Sequence, residues 1–143
     1  MSIDERQEEL IEQFQLLDAD MEMALHYIME LGEELPILTE DERSEENIVK
    51  GCQSKVWLTA SLENGKIAFK ADSNTAITKG LVSMLVKVLN HKSPEDVLNA
   101  NIHFPEKIGM NRFIGTQRSS GFASMIKQIN YYALALSTEK SNA

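Results

Sequence analysis

Apolar side chains recur through the first quarter of the chain at intervals of three and four, the period of an amphipathic helix. Leu10, Ile11, Phe14 and Leu17 mark one such face. Ser2-Ile3-Asp4-Glu5 ahead of them has the spacing of a capping box, with Glu5 three residues after the Ser2 cap. A second helix is predicted to start at Asp18 to Asp20 and to run through Met21, Ala24, Leu25, Ile28 and Leu31 to Gly32, placed as a C-cap glycine. The methionines here sit at helical spacing and read as core fillers rather than a metal stripe. From Glu33 to Glu46 the periodicity is lost around Pro36 and a run of acids, which predicts a surface loop able to meet a basic partner. The pattern then turns to alternation. Val56, Leu58, Ala60 and Leu62 face one way and Trp57, Thr59 and Ser61 the other; Asn64-Gly65 marks a tight hairpin, and Ile67, Phe69 and Ala71 return. With Ile48 and Val49 as a short strand ahead of them, the prediction is an antiparallel sheet of about three strands, helices covering one face.

Helical spacing resumes at Ile77, Leu81, Met84, Leu85 and Val88, with N-caps offered by Asp72-Ser73-Asn74. Ser93-Pro94-Glu95-Asp96 starts a short helix docked by Val97 and Leu98. Asn101 to Gly115, which holds Pro105 and Gly109, predicts broken helix and turns. A last helix from Ser119 or Ser120 to Ser137 carries Phe122, Met125, Ile126, Ile129, Ala133 and Leu136 on one side, and Glu139 to Ala143 is expected to fray. The elements describe one α+β domain over residues 1–143, and a chain of 143 residues that is 43% hydrophobic can bury a sizeable core.

Charge narrows the partners. With 22 acidic against 14 basic side chains the formal charge is −8, which opposes attraction to nucleic acid or an anionic membrane. One cysteine makes no internal disulfide, no apolar run is long enough to span a bilayer, and the N-terminus has no secretory h-region, so a cytoplasmic location is expected. His26, His91 and His103 lack the spacing of paired zinc ligands, and no glycine-rich phosphate loop is present, so neither a metal site nor nucleotide chemistry is expected.

The chemistry that remains is Cys52. It follows Lys50-Gly51 and precedes Gln53-Ser54, a turn sequence, with Lys55 and the β-preferring Val56-Trp57-Leu58 just beyond. A cysteine packed in a core sits more usually in an apolar periodic pattern, although a small buried hydrophobe is the alternative reading. Lys50 and Lys55 on either side favour the thiolate, the nucleophilic form. A Cys–His hydrolase would need one of the three distant histidines brought to it, and dithiol cycling has no second cysteine.

Asn47 with Val49, then Gly51-Cys52-Gln53-Ser54-x-Val56-Trp57-Leu58, Ala71-Asp72-Ser73, Gly80-Leu81 and Arg118-x-x-Gly121, closely resembles the SufE family of sulfur acceptors for cysteine desulfurases. The resemblance covers most of the chain. It implies an α+β fold similar to the iron–sulfur scaffold proteins of the IscU type. It also implies a protein with no cofactor of its own that takes sulfur onto Cys52 from the persulfide of a SufS-like, pyridoxal-phosphate-dependent desulfurase. That sulfur would pass to a downstream iron–sulfur assembly scaffold. A cluster normally needs several thiolates, so one cysteine suits a carrier better than a scaffold. Gly51, Gln53 and Ser54 match the family's thiol loop, Asp72 and Ser73 its helix-leading acidic segment, and Arg118 its late basic position. Asp72 and Ser73 read either as helix caps or as functional groups. Arg118 reads as a partner for a persulfide or a carboxylate, or as a fork fastening the last helix to the thiol loop. Family members often carry Asp-Ser-Asp where this chain has Asp72-Ser73-Asn74. The rival functions are a self-sufficient thiol enzyme and a non-catalytic adaptor that binds the desulfurase.

Overall fold

One helix lies at the centre because its sequence is apolar almost all round. In α3 (Ala76–Leu89) ten of fourteen residues are buried, which requires neighbours on every side. The structure, a computed structural model, describes the backbone of residues 1–142 and side chains through Thr138. In chain order the other elements are α1 (Ile3–Gln15), α2 (Met21–Glu33), a 3-10 turn (Glu45–Asn47), β1 (Val56–Glu63), β2 (Lys66–Ser73), α4 (Pro94–Asn99), α5 (Phe104–Ile108) and α6 (Asn111–Asn142).

The helix starts follow the local sequence. Ser2 and Glu5 close the capping box, each backbone N–H donating to the other side chain at 3.0 Å. Asp20 accepts from Met23 N at 3.0 Å at the start of α2, and Ser93 accepts from Asp96 N at 3.1 Å ahead of Pro94. The start of α5 has no cap of its own. Gln7 of α1, fully buried, supplies one: its Oε1 accepts from His103 N at 2.8 Å and from Phe104 N at 3.1 Å.

β1 and β2 form an antiparallel hairpin in register from Val56 opposite Ser73 to Glu63 opposite Lys66. Asn64 and Gly65 both have positive φ, 54° and 78°, as a two-residue I′ turn demands. Val56, Leu58, Ile67, Phe69 and Ala71 are buried toward α3, where they meet a core that includes Leu81, Met84, Leu85 and Val88. The expected α+β architecture therefore holds, with a smaller sheet. Two strands, not about three, are formed among the described residues. Ile48 makes a single bridge to Trp57, because the 3-10 turn diverts the chain before it and the thiol loop follows it. Further along the same edge, Leu58 O accepts from Tyr132 of α6 at 3.0 Å, so a longer third strand has no place to pair.

Two sequence expectations move. Gly32 does not end α2 as a C-cap; it is buried within the helix at its closest approach to α3, where an added Cβ would lie 2.8 Å from Gly80 N. Ser119 and Ser120 do not start the last helix. The break is at Gly115 (φ 83°, ψ 168°), and Ser119 Oγ donates back to Gly115 O at 2.8 Å. The last helix is described as helical backbone to Asn142, and Ala143, the end of the tail expected to fray, lies outside the described residues.

Candidate functional site

Cys52 sits on a loop closed at its neck by the hairpin. Val49 N donates to Val56 O at 2.8 Å, both side chains are buried, and residues 50–55 stand out from that anchor. The exit of the loop is stapled to the segment after β2. Lys55 N donates to Asn74 Oδ1 at 3.0 Å, while Lys55 O accepts from Ser73 Oγ at 2.8 Å and from Asn74 N at 3.2 Å. The entrance turns on Gly51. Its φ of 95° is a conformation that side chains resist, and a Cβ there would overlap the Ser124 hydroxyl of α6. Between this hinge and that staple lie Cys52, Gln53 and Ser54, so the thiol sits on a short span held at both ends.

The sulfur rests inward, half-buried, with its S–H donating to the Gly121 carbonyl oxygen of α6 at 3.4 Å. Gly121 makes room for it: an added Cβ would come within 3.3 Å of Sγ. Burial pushes the thiol pKa above its ordinary value. The activation expected from Lys50 and Lys55 is absent from this resting state. Both lysines are exposed and neither contributes to the shift, so desolvation alone sets it.

Beside the sulfur lies a cavity of about 420 Å³, lined by Cys52, Ser54, Thr78, Leu81, Arg118 and Met125 among others. Gln53 also lines it. The structure thus brings Cys52, Gln53, Ser54 and Arg118 to one cavity, with Gly51 as the hinge beside it. Arg118 is exposed, has no ion pair among the described residues, and hydrogen-bonds only the Ile114 carbonyl, across the Gly115 break, at 3.4 Å. The fork fastening helix to loop is therefore not formed.

Asp72 and Ser73 lie outside the cavity, and neither caps α3. Thr75 holds the N-cap position, without a side-chain cap bond. Asp72, 3% exposed, instead pairs with Arg43 and with Lys79 at 3.3 Å, and accepts from Ser73 N at 2.8 Å. Asp72 faces Trp57 across the hairpin, and the Arg43 guanidinium lies 5.6 Å from the Trp57 ring centroid. One arginine thereby ties the acidic segment to the outer face of the sheet through both residues. Sequence reading passed over Arg43, although it is the only basic residue between Glu33 and Glu46. It also passed over Thr75 and Thr78, whose hydroxyls reach Ser54 at 3.0 and 3.4 Å.

None of His26, His91 and His103 lines the Cys52 cavity. His103 lies with α1, its Nε2 3.8 Å from the Asp4 carboxylate. Among the described residues no helix is long and apolar enough to cross a membrane.

Comparison with known proteins bears on the fold and the family. A hypothetical protein from Thermus thermophilus, known from its solution structure, superposes with a TM-score of 0.77 over 93% of this chain and 96% of its own, at 20% identity. That likeness establishes the fold. The family model described as SufE, Fe-S metabolism associated domain, matches residues 8–133, so the chain belongs to the SufE family and its role lies in iron–sulfur metabolism.

Proposed function

We propose that the protein accepts sulfane sulfur on Cys52 from the persulfide of a pyridoxal-phosphate-dependent cysteine desulfurase of the SufS type and passes it to an iron–sulfur assembly scaffold. The observation that carries this reading is the placement of the sole thiol: on a loop that turns at Gly51, beside a cavity with room for added sulfur. In the transfer step the Cys52 thiolate attacks the terminal sulfur of the donor persulfide. A new S–S bond forms, the donor S–S bond breaks, and the donor cysteine leaves as a thiolate. No external oxidant is needed, because the sulfane sulfur keeps its oxidation level. The protein brings no cofactor to this step; pyridoxal phosphate belongs to the donor.

The resting geometry suits a carrier better than a stand-alone thiol enzyme. No histidine stands at the cavity to take the thiol proton, and burial holds the thiol protonated. A donor that draws the loop outward restores water or its own basic groups to Cys52 and lowers that barrier. Arg118, unpaired at the cavity wall, supplies positive charge for a sulfur anion or a donor carboxylate.

The test is desulfurase turnover with and without the protein. Wild type is expected to accelerate alanine formation from cysteine, whereas Cys52→Ser binds the desulfurase with similar affinity and gives no acceleration. Full acceleration by Cys52→Ser would replace the carrier reading with that of an adaptor acting by docking alone.

A further inference from the structure

The cavity wall carries a hydrogen-bond donor that the transfer step does not use. Ser54 Oγ is contacted by Thr75 Oγ1 at 3.0 Å and by Thr78 Oγ1 at 3.4 Å, and among the described residues these are the only side-chain hydrogen bonds that the three hydroxyls make as donors. Three hydroxyls carry three protons, and two contacts use two. Whichever way the rotors point, one O–H has no acceptor among the described side chains and is open to solvent or to a group in the cavity. Thr78 is 7% exposed, and both it and Ser54 line the cavity that holds Cys52. Thr75 completes the cluster while leaving its own helix uncapped, although Thr at that position ordinarily accepts from the first-turn N–H groups.

A spare donor facing a protonated thiol has little to bind. A persulfide differs, because it is more acidic than the thiol and is largely an anion at neutral pH. Resting on the reading of Cys52 as a sulfur acceptor, we infer that the Ser54, Thr75 and Thr78 hydroxyls form a donor site for the terminal sulfur anion of Cys52 persulfide. Loading produces Cys52–S–S⁻ with the donor released as a thiolate. The rotors then turn so that the spare O–H lies on Ser54 or Thr78 and donates to the outer sulfur, with Thr75 donating into the chain behind it. Hydrogen bonds to the charged form stabilise it and lower its pKa. The cluster holds the persulfide anion inside the cavity between donor and acceptor, and its removal leaves the anion less favourable there.

The experiment installs the persulfide chemically with inorganic polysulfide, so that it does not depend on any desulfurase, and follows the near-ultraviolet absorbance of the persulfide anion against pH. In Ser54→Ala and Thr78→Val the persulfide midpoint is expected to rise by about one unit. Thr78→Ser should restore the parent value, and alkylation of the unmodified thiol should keep its parental rate. Ser54→Ala carries the test if Thr78→Val does not fold. A persulfide midpoint equal to the parent's in the folded variants overturns the donor site. So does a shift that appears equally in the free thiol, since that marks a general loosening of the loop. Loading of the parent by a desulfurase is measured separately. A shifted midpoint without loading overturns the acceptor role and keeps the donor site, whereas loading with an unshifted midpoint does the reverse.

Discussion

Cys52 is held in the less reactive of its two protonation states, and the cause is where its sulfur rests. Burial against α6 raises its pKa, and the Gly121 carbonyl accepts the S–H, an interaction that only the protonated form makes. A thiol whose folded pKa is raised contributes stability that is full below the unfolded pKa and is lost as pH rises through the folded one. Alkylation of the free protein should therefore rise with pH to a midpoint above that of the same cysteine in urea-unfolded protein. An equal or lower midpoint would contradict the inward resting state. Gly51→Ala should act on the same group from the hinge. Positive φ and overlap with Ser124 oppose the resting loop, so the variant should lose about 1–3 kcal/mol in urea denaturation and label faster at fixed pH. The sequence made the thiol, its glycine and its turn legible, because those residue types restrict local backbone geometry. It pointed the wrong way on the lysines. Charge near a thiol in sequence is not charge near it in space, and Lys50 and Lys55 are exposed to solvent.

The thiol loop is anchored on the hairpin, and β1 is held on both faces. Inward, Val56 is fully buried opposite its bond to Val49. Val56→Ala removes packing under the loop without touching the thiol and should accelerate labelling of Cys52 by a bulky reagent. If the outward form is populated at about a hundredth, restoring it fully would raise the rate by up to about a hundredfold. Labelling of the parent at the rate of an unhindered thiol, unchanged in the variant, would rule this out. Outward, Arg43 bridges Asp72 and Trp57. Arg43→Ala should cost about 1–2 kcal/mol in denaturant titration. Arg43 is partly exposed and Lys79 still pairs with Asp72, so the full penalty of a stranded buried charge does not apply. The loss should shrink in an Asp72→Asn background, and an undiminished loss there would remove the pairing argument. Periodicity disclosed the helices and the hairpin register, since each follows a local period of 3.6 or 2. The Asp72-Ser73-Asn74 caps and the third strand failed for a shared reason. Those residues answer to partners far away in the chain, Arg43, Lys55 and Tyr132, which no local pattern encodes.

For the molecule as a whole, close packing of α2 on α3 supports everything above it. Gly80 has no room for a Cβ against the Ile28 carbonyl, so Gly80→Ala should cost at least about 1–3 kcal/mol and lower the Tm by several degrees. Sequence alone presented Gly32 as a helix end, because close helix approach leaves no periodic signature. The net charge of −8 and the acidic 33–46 segment suit a donor with a basic docking surface. Binding to the desulfurase should therefore weaken between low and high salt, chiefly through a slower association rate, and salt-independent binding would contradict that assignment. The family and overall architecture were legible from the thiol loop motif and the alternation that follows it. The cavity was not, since its walls come from α3 and α6 as well as the loop. The central claim is that Cys52 receives sulfur, and intact-mass measurement after incubation with a cysteine desulfurase and cysteine tests it most directly. The account predicts that wild type gains the mass of one sulfur atom, reversible by a reducing thiol, and that Cys52→Ser gains none; an unmodified wild-type mass beside a turning-over desulfurase, or sulfur gained by Cys52→Ser, would contradict it.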